Sequence, residues 1–231
     1  ELIGIKNANL VMPVYKPIIP YLDRLKIKNY KILYNVINPK NIVKKEEYEL
    51  DKVTRIISVS RQYKDKNPIN IIKSIEFIDN VELTLVGNGD YHEYLISESI
   101  RLNVKPKIKF IKSLENNYLC RELHKYDIFI AHSDCLETSK SILEAILTGL
   151  PIILNKTKVK YPSELNKNFI YFVDNNAKSY KEGIIKLISE RKLREKLGRK
   201  AKLKAEKIWN PKITEKKYTE IYRKYSLKNY L

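Results

Sequence analysis

The chain has 231 residues, 43% of them hydrophobic, and a formal net charge of +18 with a pI near 9.6. That apolar content is enough to bury one good core, which excludes a disordered chain. Lysine recurs with isoleucine and asparagine along the whole length, and no RNP, zinc-finger or helix-turn-helix signature accompanies the charge, so composition bias is the reading and no nucleic-acid partner is expected.

In chain order, LVMPV (residues 10–14) reads as a short apolar strand, a helix-like stretch starts after Pro20, and YKILYNVINP (30–39) reads as a strand running into an Asn/Pro turn. KNIVKKEEYELDK (40–52) is charged and without period, a linker that puts a domain boundary near residue 50. From there short apolar runs alternate with helical stretches. RIISVS (55–60), VELTLVG (81–87), KIKFI (107–111), DIFIAHS (127–133), PIILN (151–155) and NFIYFV (168–173) read as strands. Pro68 to Phe77, YHEYLISESIRL (91–102), NNYLCRELHKY (116–126) and SKSILEAILTG (139–149) read as the helices between the first five, and a long basic helix begins at about Ser179. Strands too continuously apolar for a one-sided sheet, each followed by a helix, predict an α/β fold: a Rossmann-like doubly wound parallel sheet.

Such a fold binds its ligand beyond the carboxyl ends of the strands. There, SRQYKDK places Arg61 and Lys66 on one loop, two cations suited to clamping a diphosphate. VGNGD offers Gly87 and Gly89, a tight turn that lacks the third glycine of a dinucleotide fingerprint. ETSKSILEAILTGLPIIL (137–154) carries Glu137 just past a strand, Thr138, Ser139, Lys140 and Ser141 at a helix start, and Glu144 about two turns on. Amides at that start suit a phosphate, and Glu144 suits the hydroxyls of a ribose. Cys120 and Cys135 form neither a disulfide framework nor, with His92, His124 and His132, a zinc set, and read as reduced thiols. No stretch reaches the roughly 18–20 apolar residues of a membrane span, and no signal-peptide pattern opens the chain. The start at Glu1 reads as a piece of something longer.

Taken together, these segments resemble glycosyltransferase family 4 (glycosyl transferases group 1), retaining nucleotide-sugar transferases of the GT-B fold. ETSKSILEAILTGLPII looks like the family's two-glutamate segment, RIISVSRQYKDKNPINIIKSI like its strand, arginine, lysine and helix, LTLVGNGD like its G-x-G turn, and YDIFIAHS like the strand entering the glutamate motif. EKIWNPKITEKKYTEIYRKY resembles the tryptophan-containing helix that returns to the first domain, and residues 7–38 resemble the close of that domain and the crossover. The glutamates are seven apart here where the family has eight, with no Gly-Phe-Gly between them, and Lys140 adds a positive charge the family usually lacks.

The resemblance implies residues 1–50 as the end of an N-terminal domain, 51–205 as the donor-binding domain and 206–231 as the returning helix. It implies Arg61 and Lys66 at the donor pyrophosphate and Glu144 at the ribose. Glu137 would lie against the transferred sugar, Gly87, Gly89 and the Thr138 to Ser141 backbone at sugar and phosphate, and Ile111 and Lys112 beside the base. It also implies a glycan or lipid-linked acceptor, fixed cations rather than a divalent metal, and an isolated fragment, lacking most of the first domain, that binds donor weakly and is inactive alone. The other readings are a GT-B-related nucleotide-sugar epimerase and a non-catalytic basic module binding nucleic acid or anionic membrane. The expected location is the cytoplasm, with peripheral contact at the inner membrane face suggested by Lys and Arg alternating with apolar residues over 179–209; packing of that stripe on the sheet is the favoured alternative.

Overall fold

A computed structural model describes residues 2–134, 138–157 and 165–226. Six strands, β1 (Thr54–Val59), β2 (Val81–Val86), β3 (Ile108–Ile111), β4 (Ile128–Ala131), β5 (Ile152–Asn155) and β6 (Ile170–Val173), form one parallel sheet in the order β3-β2-β1-β4-β5-β6. The helices in chain order are α1 (Leu2–Asn7), α2 (Ile19–Arg24), α3 (Ile69–Ser74), α4 (His92–Arg101), α5 (Asn116–Glu122), α6 (Lys140–Thr148), α7 (Ala177–Ser189), α8 (Arg191–Ile208) and α9 (Pro211–Ser226).

Strand alternation sends Ile56, Ile128 and Ile153 to one face, where they pack with Ile71 and Ile72 of α3, Leu95 of α4 and Ile184 of α7. Ile57, Phe129, Ile152 and Leu154 go to the other, under Leu119 of α5, Ile146 of α6, Ala201 of α8 and Trp209. Helices on both faces of an all-parallel sheet make the α/β Rossmann-like, doubly wound fold. Strand order reverses between β1 and β4, and the crevice that this reversal opens at their carboxyl ends is where the fold accepts a ligand.

Two expectations need correction. The N-terminal segments are not strands: Val11 and Tyr30 form one isolated parallel bridge. Val11 N donates to Asn29 O, and Lys31 N and Leu33 N donate to Val11 O and Pro13 O, but Pro13 has no N–H to return, so the ladder ends there. The basic C-terminal stretch is two helices, not one. Glu190 leaves helical geometry at φ −113°, ψ 86°, and the buried Arg194 turns back to donate to the carbonyls of Leu187 (2.6 Å) and Ile188 (2.8 Å) in the last turn of α7. The same guanidinium donates to Tyr48 O, tying the segment before β1 to α8.

That segment is bound closely to the sheet. Lys45 N donates to Thr148 O, and its ammonium is buried 3.8 Å from Asp127 at the amino end of β4, remote from the strands' carboxyl ends. Tyr48 Oη donates to Gly149 O at 2.8 Å. At the other end of the chain, α9 lies against residues 9–33: Tyr218 Oη donates to Leu33 O, and Ile221 and Tyr222 line a hollow with Leu10 and Met12. No helix among the described residues is long and apolar enough to cross a membrane.

Candidate functional site

At the switch point a cleft of about 500 Å³ is walled by the loops after β1 to β4 and by the first turn of α6. Its shape depends on two loops that lie almost touching. Ser60 N donates to Val86 O, and Gln62 N to Asn88 O, so the pairing of β1 with β2 continues past the strands. Gly87 (φ 144°) and Gly89 (φ 152°) lie so close to the carbonyls of Ser60 and Gln62 that a Cβ at either position would overlap them. The glycines therefore serve this backbone contact in the first place. Beneath it, Gln62 Oε1 is 2.7 Å from His92 Nδ1, both side chains buried, and the His92 ring meets Phe110 edge-on.

Of the residues proposed from sequence, Arg61, Lys66, Gly87, Lys112, Ser139, Lys140, Ser141 and Glu144 all line the cleft. Arg61 sits with its guanidinium carbon 5.4 Å from the centre of the Tyr63 ring, whereas Lys66 is 9% exposed on the short 3₁₀ turn Lys64–Lys66. Lys112, exposed at the end of β3, is 3.6 Å from Glu93. Gly89, Ile111 and Thr138 are not in the lining; Ile111 contributes its carbonyl, which accepts from Gly87 N at 2.8 Å. Glu137 and Cys135 lie outside the described residues.

The α6 segment forms as its sequence dictates. Ser139 caps it, its hydroxyl accepting from Ile142 N, and Ser141 Oγ donates to Val59 O, fastening the helix start to the end of β1. Lys140 and Ser141 occupy the first turn, whose amides precede intrahelical bonding. Gly149, left-handed at φ 90°, ends the helix and returns the chain through Pro151 into β5. Between these ends the apolar residues face the core, and Glu144, only 1% exposed, is carried in with them.

Glu144 is held by residues that motif reading does not single out. Asn116, at the start of α5, donates its side-chain amide to Glu144 Oε1 at 2.9 Å, and the Lys140 ammonium stands 3.9 Å from the same oxygen. Burial raises the Glu144 carboxyl above the usual carboxylate value, against the opposing effects of Asn116, Lys140 and the Cys120 thiol. That thiol is itself pushed up to about 12, by burial and then by the carboxylate beside it. Asn155, fully buried at the end of β5, anchors the loop after β4: its carbonyl oxygen accepts from Ser133 N at 2.9 Å, and its amide donates to Ser133 O at 3.1 Å. A polar residue closing the apolar run PIILN was the available signal for it; for Asn116 the signal was its place beyond the carboxyl end of β3. Among the described residues no three His, Cys, Asp or Glu side chains gather as a metal set.

The family model described as glycosyl transferases group 1 matches residues 39–204. No curated protein matches the chain. Among solved structures, sucrose-phosphate synthase from Thermosynechococcus elongatus superposes with a TM-score of 0.80 at 15% identity, over 98% of this chain and 60% of that one. HepE from Anabaena, in complex with UDP and glucose, gives 0.81 at 15% identity, over 95% and 64%. The C-terminal domain of a glycosyl transferase group 1 family protein (LpcC) from Francisella tularensis gives 0.64 at 16% identity, over 75% of this chain and 98% of that one. At these identities the likeness is one of fold, and the present chain spans less than two thirds of the first two proteins.

Proposed function

Since the chain belongs to the glycosyl transferases group 1 family, we propose that its cleft takes the nucleoside diphosphate of a nucleotide-sugar donor, as the donor half of a retaining glycosyltransferase that acts on a glycan or lipid-linked acceptor. The observation that carries this reading is the convergence, at one switch-point cleft, of Arg61, Lys66 and Lys112 with the start of α6 and a buried carboxylate, Glu144. That combination suits a ligand with a diphosphate at one end and a diol at the other. HepE, whose structure holds UDP, shares the fold around the corresponding sheet.

In this reading the bond between the sugar's anomeric carbon and the diphosphate breaks as a bond to an acceptor hydroxyl oxygen forms, charge accumulates on the departing phosphate oxygen, and that oxygen takes up the acceptor's proton. Arg61 and Lys66 stabilise that charge as fixed cations, most effectively in a cleft from which water is displaced. Glu144 accepts from the ribose hydroxyls and holds the nucleotide in register. A divalent ion has no task that the cations leave undone, so binding is expected to survive EDTA. Calorimetric titration of the chain with UDP and GDP tests the reading. Saturable binding of one of them is expected, weakened about tenfold or more in Glu144→Ala and in Arg61→Ala. Failure of both nucleotides to bind, or binding indifferent to both substitutions, overturns it.

For location, we propose a cytoplasmic protein that touches an anionic membrane surface through α8. The apolar stripe of α8 is used in packing, with Leu197, Gly198, Ala201 and Ala205 buried. Its opposite side presents Lys192, Lys196, Lys200 and Lys207, all exposed, beside Leu203, which is 57% exposed. Such a row favours electrostatic contact over insertion, at about 1 kcal/mol per lysine near an anionic surface. Sedimentation with phosphatidylserine vesicles at low salt, lost when Lys196, Lys200 and Lys207 are changed to Glu, is the expected result. Equal sedimentation of the variant rejects it.

A further inference from the structure

Lys140 stands where local physics disfavours it. It is the first residue of α6, and that helix has no acidic residue in its first turn, so the cation faces the positive end of the helix dipole. It also precedes its carboxylate partner by four residues, the weaker order for a helical ion pair. What the position provides is contact with Glu144: directly at 3.9 Å, and through Asn116, whose carbonyl oxygen accepts from the Lys140 ammonium at 3.4 Å while its amide donates to Glu144 Oε1 at 2.9 Å.

We propose that Lys140 is a positioning residue for Glu144, acting directly and through Asn116 to hold the buried carboxylate as a pure hydrogen-bond acceptor at the wall of the cleft. The proposal rests on the reading of Glu144 as the ribose acceptor. A carboxylate with both oxygens unprotonated accepts from two hydroxyls of a diol, whereas a protonated one offers a donor where an acceptor is needed. Burial works against the charged form here, and the groups that oppose burial are few. On α6 itself there is Lys140; from α5 there are the Asn116 amide and the Cys120 thiol. Of these Lys140 alone carries a full charge. Its side chain is 53% exposed, so it keeps its hydration while lending its field to a carboxylate that is 2% exposed.

The alternative is that Lys140 simply adds a fourth cation for the phosphates. Three measurements separate the two. First, the Glu144 carboxyl is titrated by carbon NMR in the nucleotide-free chain, in the wild type, Lys140→Met and Lys140→Arg. The midpoint is expected to rise by roughly half a pH unit or more in Lys140→Met and to return in Lys140→Arg, since an opposite charge within ~4–6 Å favours the ionised form. Second, UDP affinity measured from pH 5 to 8 is expected to show its acid limb displaced upward by the same amount in Lys140→Met. Third, Lys140→Met is expected to cost nothing further in a Glu144→Gln background, the mark of action through Glu144. An unmoved Glu144 midpoint, or an equal loss of UDP affinity at every pH and in both backgrounds, overturns the proposal. The NMR titration needs no nucleotide, so a chain that fails to bind UDP or GDP sinks the donor-site reading while this one is still decided.

Discussion

Alanine at Gly198 is expected to destabilise the chain by about 3 kcal/mol, lowering the melting temperature by roughly 6–10 °C. Helix propensity alone predicts the opposite sign, because glycine inside a helix is about 1 kcal/mol worse than alanine. Packing decides otherwise. A Cβ at Gly198 would fall within 3.0 Å of Gly149 O and of the Tyr48 ring. Gly149 cannot give way, since it is the left-handed residue that ends α6 and its carbonyl accepts from Tyr48 Oη. Tyr48 is equally fixed, buried at 3% exposure with Arg194 bonded to its carbonyl and its own hydroxyl donating to Gly149 O. Tyr48→Leu in the Gly198→Ala background is expected to recover part of the loss and no more, because the overlap with Gly149 O remains. Urea denaturation of the four chains checks this. An unchanged or raised midpoint in Gly198→Ala would mean that α8 can lift from α6 at little cost, and the account of this contact would be wrong.

The second large effect pulls stability and binding apart. Glu144→Gln is expected to raise folding stability at pH 7–8 by on the order of 1 kcal/mol, because it removes a buried charge and keeps an oxygen for Asn116 to donate to. The same change is expected to weaken UDP or GDP binding about 10- to 100-fold, since a charged acceptor is replaced by a neutral amide. The pH dependence follows from the direction of the shift. Burial holds the Glu144 carboxyl above its unfolded value of 4.5, so the folded chain binds this proton more tightly than the unfolded one. The stability this group contributes is full below the unfolded value and falls as pH rises through the folded value. The advantage of Gln over Glu should therefore vanish below about pH 4.5 and grow above it. Thermal melts of both chains from pH 4 to 8 measure this, and an advantage that is constant with pH would remove burial of the charge as its cause.

The sheet was legible because its information is local and repeated. Runs such as RIISVS and VELTLVG are apolar on both faces, and only a strand covered by helices on both sides uses such a run. The carboxyl ends of these strands were then where a candidate site was expected, and Arg61 and Lys66 from a loop and Glu144 from α6 do line one cleft there. Other features lacked a local signal. Nothing in Ser189, Glu190 and Arg191 breaks a helix by propensity; the break is held by Arg194 reaching back to the end of α7. YKILYNVINP has a strand's composition, but its ladder needs an N–H that Pro13 lacks.

The amino-acid sequence by itself determined the alternation of strand and helix, the parallel sheet and the loops that wall the cleft, because hydrophobic period and the caps at Ser139 and Gly149 act over a few residues each. Only the tertiary structure decided what those loops do once brought together. It made Gly87 and Gly89 the faces of a contact between two loops, gave Glu144 its partner Asn116 from a different helix, and put Tyr48 between two glycines far along the chain. Each of these depends on a distance between residues remote in sequence, and neither period nor propensity contains that distance.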